Sequence, residues 1–104
     1  MIARRDVFQA IADPTRRAII GLLAAQTLTL NAVAENFQIS QPAISKHMRI
    51  LAECGLVVMV KQGREKYCTA HLEALEEVTQ WAEQSRAFWK GRLDVLEQLI
   101  NEND

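Results

Sequence analysis

Cysteine and histidine are scarce in this chain, whose 104 residues hold two of each. Cys54 and Cys68 make no Cys-x-x-Cys pair, and one pair of thiols implies no disulfide framework. Both read as reduced side chains placed by packing. By sequence neither His47 nor His71 has a cysteine or aspartate partner, and the chain has no phosphate-binding loop and no dinucleotide fingerprint. Without a nucleophile and base that could meet in a pocket, the sequence does not read as an enzyme.

Long apolar runs are missing as well. No window approaches the roughly 20 apolar residues that a membrane span requires. Met1-Ile2-Ala3-Arg4-Arg5-Asp6 leads into amphipathic sequence rather than the apolar stretch of a signal peptide, so a cytoplasmic protein is expected. There is no low-complexity tract and no internal repeat. At this length, with 49% apolar residues, residues 1–104 read as one globular domain with one core.

An excess of either charge is absent too, since the net charge is −1. That total hides a segregation. Residues 1–70 hold nine Lys/Arg against five Asp/Glu, and residues 71–104 hold three against eight. A basic body with an acidic tail points to nucleic-acid contact more than the total does, although an acidic tail that merely solubilises a helix fits as well.

What is present is a helix with two chemistries. In Ser40–Gly55, Ile44, Met48 and Leu51 recur at i, i+4, i+7 and stack on one face. Gln41, Ser45, Lys46 and Arg49 fall mostly on the other, as an amide, a hydroxyl and two cations suited to base edges and phosphates. Ser40 can cap the start, Pro42 is tolerated in the first turn, and Gly55 suits a left-handed stop. About 14 residues give a rod of about 21 Å, long enough to lie in a major groove, which makes this helix the candidate reader.

The flanking segments supply a frame. Asp6–Ala12 reads as a short helix with Val7, Phe8 and Ile11 on its apolar side, and Asp13-Pro14 stops it and starts the next. Pro14–Ala25 carries Ile19, Ile20, Leu22 and Leu23 inward, with Arg16 and Arg17 outward. Thr29 caps a third helix from Leu30 to Asn36 or Phe37, and Phe37–Ser40 turn into the reader with Ile39 inward. Two such helices joined by so short a turn match a helix-turn-helix over about 29–54. An antiparallel helical hairpin without a DNA role has the same pattern.

Leu56–Lys61 and Glu65–Ala70 read as strands joined by a turn at Gln62-Gly63-Arg64, a wing over about 56–70. Lys61, Arg64 and Lys66 put three cations around its tip against Glu65, suiting phosphate or minor-groove contact, although a solvated turn is also charged. The C-terminal helix, about 71–100, has no proline and carries overlapping apolar stripes too broad for the body to cover. Trp81, Phe88 and Trp89 are its large anchors for a second copy, with Val95, Leu96 and Leu99 beyond them. The rival is an intrachain core helix, to which the Leu72–Leu75 end belongs. The fold class expected is mainly α with a small β-hairpin, α-α-α-α-β-β-α, a winged helix-turn-helix.

Over nearly its whole length this pattern resembles the ArsR family of small winged-helix repressors. The matching residues are Asp13-Pro14-Thr15-Arg16, Ser40-Gln41 with Ser45-Lys46-His47, Leu51 with Gly55-Leu56-Val57, and Gly63-Arg64 with Tyr67. The resemblance implies a homodimer through the first and last helices, bringing in Val7 and Phe8, on an inverted-repeat operator. It implies that Gln41 and Ser45 meet bases, with Ser40, His47 and Arg64 at the backbone. Metal-sensing relatives carry a Cys-x-Cys-type pair on the helix before the reader, where this chain has Leu30-Asn31-Ala32-Val33-Ala34-Glu35. Others bind zinc through the last helix, where His71 is the only histidine, short of the three or four ligands zinc takes. No metal and no cofactor is therefore expected, and Trp89–Leu96 looks like the metal-free subgroup that includes autorepressors. The expectation is a sequence-specific repressor of double-stranded DNA. The alternatives are a winged-helix protein-interaction module and a repressor switched by Cys54 or Cys68.

Overall fold

A computed structural model describes residues 6–102, and the expectation placed on Met1–Arg5, that they open no signal peptide, lies outside that range. Each short helix begins where a side chain takes up an orphan backbone N–H. Asp6 and Gln9 form a reciprocal capping box at the start of α1 (Val7–Ile11), with N–H···O distances of 3.0 and 3.2 Å. Asp13 caps α2 (Pro14–Ala25) by accepting from the Arg16 N–H at 3.0 Å, and Pro14 fits the first turn, where no donor is needed. Thr29 caps α3 (Leu30–Glu35) and Ser40 caps α4 (Gln41–Glu53) in the same way. Gly55, at φ +78°, turns the chain out of α4 in a left-handed conformation that a side chain would strain.

Strands β2 (Val57–Gln62) and β3 (Glu65–Ala70) pair antiparallel through a turn at Gly63, φ +63°. A third strand, β1 (Leu28–Thr29), pairs with β3 on its other side, Leu28 opposite Cys68 and Thr29 opposite Tyr67, in the order β1-β3-β2. The expected two-stranded wing is therefore part of a three-stranded sheet. Two residues are too few to show an alternation, and their partner lies far along the chain, so local pattern could not reveal the pairing.

The core gathers Ala10, Ile19, Val33, Ile44, Met48, Leu51, Leu56 and Cys68, all fully buried. The stripe Ile44, Met48 and Leu51 thus faces inward as its spacing requires. Ile39 does not: it is 42% exposed, and Phe37 packs against the core from the turn instead. The last helix also starts later than expected. Leu72–Leu75 form a 3₁₀ turn, and α5 runs Glu76–Glu102. The tight turn brings Ala74 and Leu75 against the core.

Helix α5 then leaves the body. Val78 is its last core contact, and Trp81 meets Phe8 edge-on at 5.9 Å. Past that point Phe88, Trp89, Leu93, Val95, Leu96, Leu99 and Ile100 are each 52–62% exposed. The radius of gyration is 19.2 Å and the extents are 70 × 34 × 21 Å, whereas a compact domain of this length has a radius of about 13 Å. None of the described helices is long and apolar enough to cross a membrane.

Candidate nucleic-acid interface

Helix α4 shows its outward chemistry in one stripe. Gln41, Ser45 and Arg49 lie at i, i+4, i+8, with Lys46 flanking them; Gln41, Lys46 and Arg49 are exposed and Ser45 is half-buried. The Ser40 hydroxyl accepts from the Ala43 N–H at 3.3 Å, which caps the helix and leaves its own proton to donate. The Gln41 amide is held from α3: its Nε2 donates to Asn31 Oδ1 at 2.7 Å.

The wing comes to the same end of α4. Leu30, Asn31, Gln41, Arg64, Glu65 and Lys66 line one shallow cleft of about 190 Å³. Of the expected residues, Gln41, Arg64 and Lys66 are therefore brought together, while Ser45, Lys46, Arg49 and Lys61 lie outside the cleft. Lys61 and Lys66 stand directly opposite each other in the β2–β3 register, both exposed. Like charges so placed repel, and an anion between them relieves the repulsion.

His47 sits about 120° around α4 from Gln41, half-buried, with its Nδ1 at 3.3 Å from the Arg16 guanidinium. Arg16 itself is a correction to the outward position read from its helix. Its Nε donates to the Ala10 carbonyl at 2.7 Å and a terminal nitrogen donates to the Gln9 carbonyl at 3.1 Å. Both carbonyls lie near the end of α1, where the Gln9 carbonyl also accepts from the Ala12 N–H at 3.3 Å. Arg17, by contrast, stays exposed and donates to the Ile11 carbonyl at 2.7 Å. Asn31 and Arg16 were not legible as site residues, since each acts on a helix distant in sequence.

The Arg16 backbone N–H holds the Asp13 carboxyl below its usual range, helped by the nearby His47 and Arg16 charges and opposed by burial. Burial pushes the Cys68 thiol up, with Lys66 pulling weakly the other way. A buried thiol of raised pKa is a poor nucleophile. No disulfide joins Cys54 to Cys68, and the described residues contain no group of three or more His, Cys, Asp or Glu able to hold a metal ion. On α5, Phe88, Gly91, Arg92, Val95, Leu96 and Leu99 line an apolar groove, with the Arg92 guanidinium 5.0 Å from the Phe88 ring. Val7 is buried within this chain and Phe8 is half-buried against Trp81.

Residues 11–60 match a family of helix-turn-helix domains. The chain is similar to the transcriptional repressor SdpR of Bacillus subtilis (strain 168): 37% identical over 76 residues, covering 73% of this chain and 84% of that repressor. In fold it is similar to an ArsR family transcriptional regulator known from its crystal structure, with a TM-score of 0.73 and 35% identity over 80% of this chain and 91% of the other. It is similar also to an ArsR-like transcriptional regulator from Rhodococcus sp. RHA1, with a TM-score of 0.76 and 33% identity over 92% of this chain and 88% of that one.

Proposed function

This chain belongs to the ArsR family and is a DNA-binding transcriptional repressor, not an enzyme; from that premise we propose that it acts as a homodimer on an inverted-repeat operator, without metal. The two α4 helices enter successive major grooves about 34 Å apart, so the operator is a pseudo-palindrome. Gln41 offers its amide to an adenine edge and Ser45 reads beside it, while Lys46 and Arg49 reach guanine or phosphate. Ser40 and His47 meet the backbone. Lys61, Arg64 and Lys66 bring the wing to flanking phosphates or the minor groove. Such a repressor works in the cytoplasm, where its operator is.

The observation that carries this reading is the cleft shared by Gln41, Arg64 and Lys66, where an amide and two cations line one surface beside Glu65, an arrangement that supports base reading next to phosphate binding. The homodimer draws support from α5, whose apolar residues past Trp81 stand more than half exposed on a helix of about 40 Å. Each such residue gains about 1 kcal/mol when the remaining half of its surface is covered.

Selection of bound duplexes from a random pool by the purified protein tests binding, symmetry and half-site spacing together. Two half-sites in inverted orientation, one helical turn apart, are expected. Enrichment of a single unsymmetrical site would overturn the dimeric reading.

A further inference from the structure

We infer that Arg16 is a positioning residue for the DNA contact of His47. It holds Nδ1 of that ring as an acceptor, so that the ring proton stays on Nε2 and is available to a phosphate. The inference rests on the proposed backbone contact of His47 and adds the group that prepares it.

A guanidinium has donors and no acceptor, so in the 3.3 Å contact with Arg16 the Nδ1 of His47 must accept. A neutral imidazole carries one proton, which then sits on Nε2. The guanidinium cannot turn away cheaply. Its Nε is bound to the Ala10 carbonyl and a terminal nitrogen to the Gln9 carbonyl, leaving the nitrogen that faces His47 fixed in direction. Arg16 springs from the first turn of α2, where Asp13 accepts its backbone N–H. Three elements therefore meet at one side chain: the end of α1, the start of α2 and the middle of α4. Two charged groups from the α2 start, Arg16 and Asp13, lie near the ring.

A phosphate accepts and does not donate, so only a nitrogen bearing hydrogen binds it. If Nδ1 carried the proton, Nε2 would present a lone pair to the phosphate and repel it. Fixing the tautomer in the free protein removes that wrong state before DNA arrives, and fixing the ring direction removes rotamer entropy that binding would otherwise cost.

Nitrogen-detected NMR of the DNA-free protein, at a pH where the rings are neutral, reads the tautomer directly, and the chain has only His47 and His71 to assign. Wild type is expected to show His47 as an almost pure Nε2–H ring, and Arg16→Met a mixture of both tautomers. Affinity for a selected operator duplex should fall about fivefold in Arg16→Met, about twofold because half of the rings carry the wrong tautomer and the rest from the rotamer entropy of the freed ring. In a His47→Gln background, where the side-chain amide brings its own N–H, Arg16→Met should cost less than about twofold.

A His47 ring protonated on Nδ1, or mixed, in wild type overturns the inference, even if the Arg16 variant fails to fold. So does an equal loss of affinity on Arg16→Met in the wild-type and His47→Gln backgrounds, which makes Arg16 a general structural residue. Absence of any DNA binding by wild type would strike the functional reading and the DNA role of His47 with it, whereas the hold of Arg16 on the tautomer is read without DNA and stands or falls separately.

Discussion

Gln41 has one of its two amide protons taken by Asn31, which leaves the carbonyl oxygen and the second proton as a matched pair for an adenine edge. Two expectations follow from that bond. Gln41→Ala should lose about 1–3 kcal/mol of discrimination at one base pair. Asn31→Ala should lose a smaller part, about 1 kcal/mol, at the same base pair, because the amide is kept but free to turn over. Competition gel shifts against operators altered one base pair at a time check both, and unchanged preference in Asn31→Ala would leave that hydrogen bond without a role in readout. Arg64, at the wing tip, should behave differently. Its replacement by Ala weakens all sequences alike and lowers the salt slope by about one. Asp13 gives a stability test at the same scale. Its carboxyl is held below the usual range, so its contribution is complete above the unfolded-state pKa of about 4 and fades as pH falls through the folded-state value. Asp13→Ala should therefore cost about 1 kcal/mol in thermal melts at pH 7, and the gap to wild type should close in strong acid.

The elements differ in how much they depend on tertiary context. Helix α4 is bounded by its own residues, Ser40 at one end and Gly55 at φ +78° at the other, and its inner stripe is visible in the spacing of Ile44, Met48 and Leu51. The wing is less self-sufficient. Its hairpin places Lys61 opposite Lys66, a pairing unfavourable by itself. Lys66→Glu should raise the stability of the free protein by about 0.2–1 kcal/mol through a cross-strand ion pair. The same change should weaken binding to operator and random duplex together. Urea unfolding and a salt-varied gel shift, run on the same variant, check the opposed signs. A stabilised wing that binds as tightly as wild type would remove Lys66 from the interface.

At the scale of the whole molecule, the shape is the informative quantity. A radius of gyration of 19.2 Å belongs to a body with one helix standing out from it. Leu96, 53% exposed in the apolar groove of α5, lies far from the core and from α4. Leu96→Glu should leave the fold intact and shift the protein to a monomer in sedimentation experiments. Binding to a two-half-site operator should then fall by about 10²–10⁴, the gain that linking two readers supplies, while the weak affinity for a single half-site remains. A Leu96→Glu protein that stays dimeric would show that α5 is not the clasp. The segregation of charge fits this division, because the acidic tail lies on the projecting helix and the cations of reader and wing lie on the body.

Local chemistry made the order of the helices and of the two wing strands legible from the sequence by itself. Asp13, Thr29 and Ser40 each cap a helix through a bond three residues along the chain, and apolar spacing marked the inner faces. The family resemblance rested on the same short motifs. Tertiary structure alone decided what joins distant segments: β1 against β3, the tight turn ahead of α5, Ile39 left outside, Asn31 against Gln41, and Arg16 drawn in to His47. These contacts have no period and no fixed spacing. Each depends on where the packed core sets two backbones, and only the folded chain determines that.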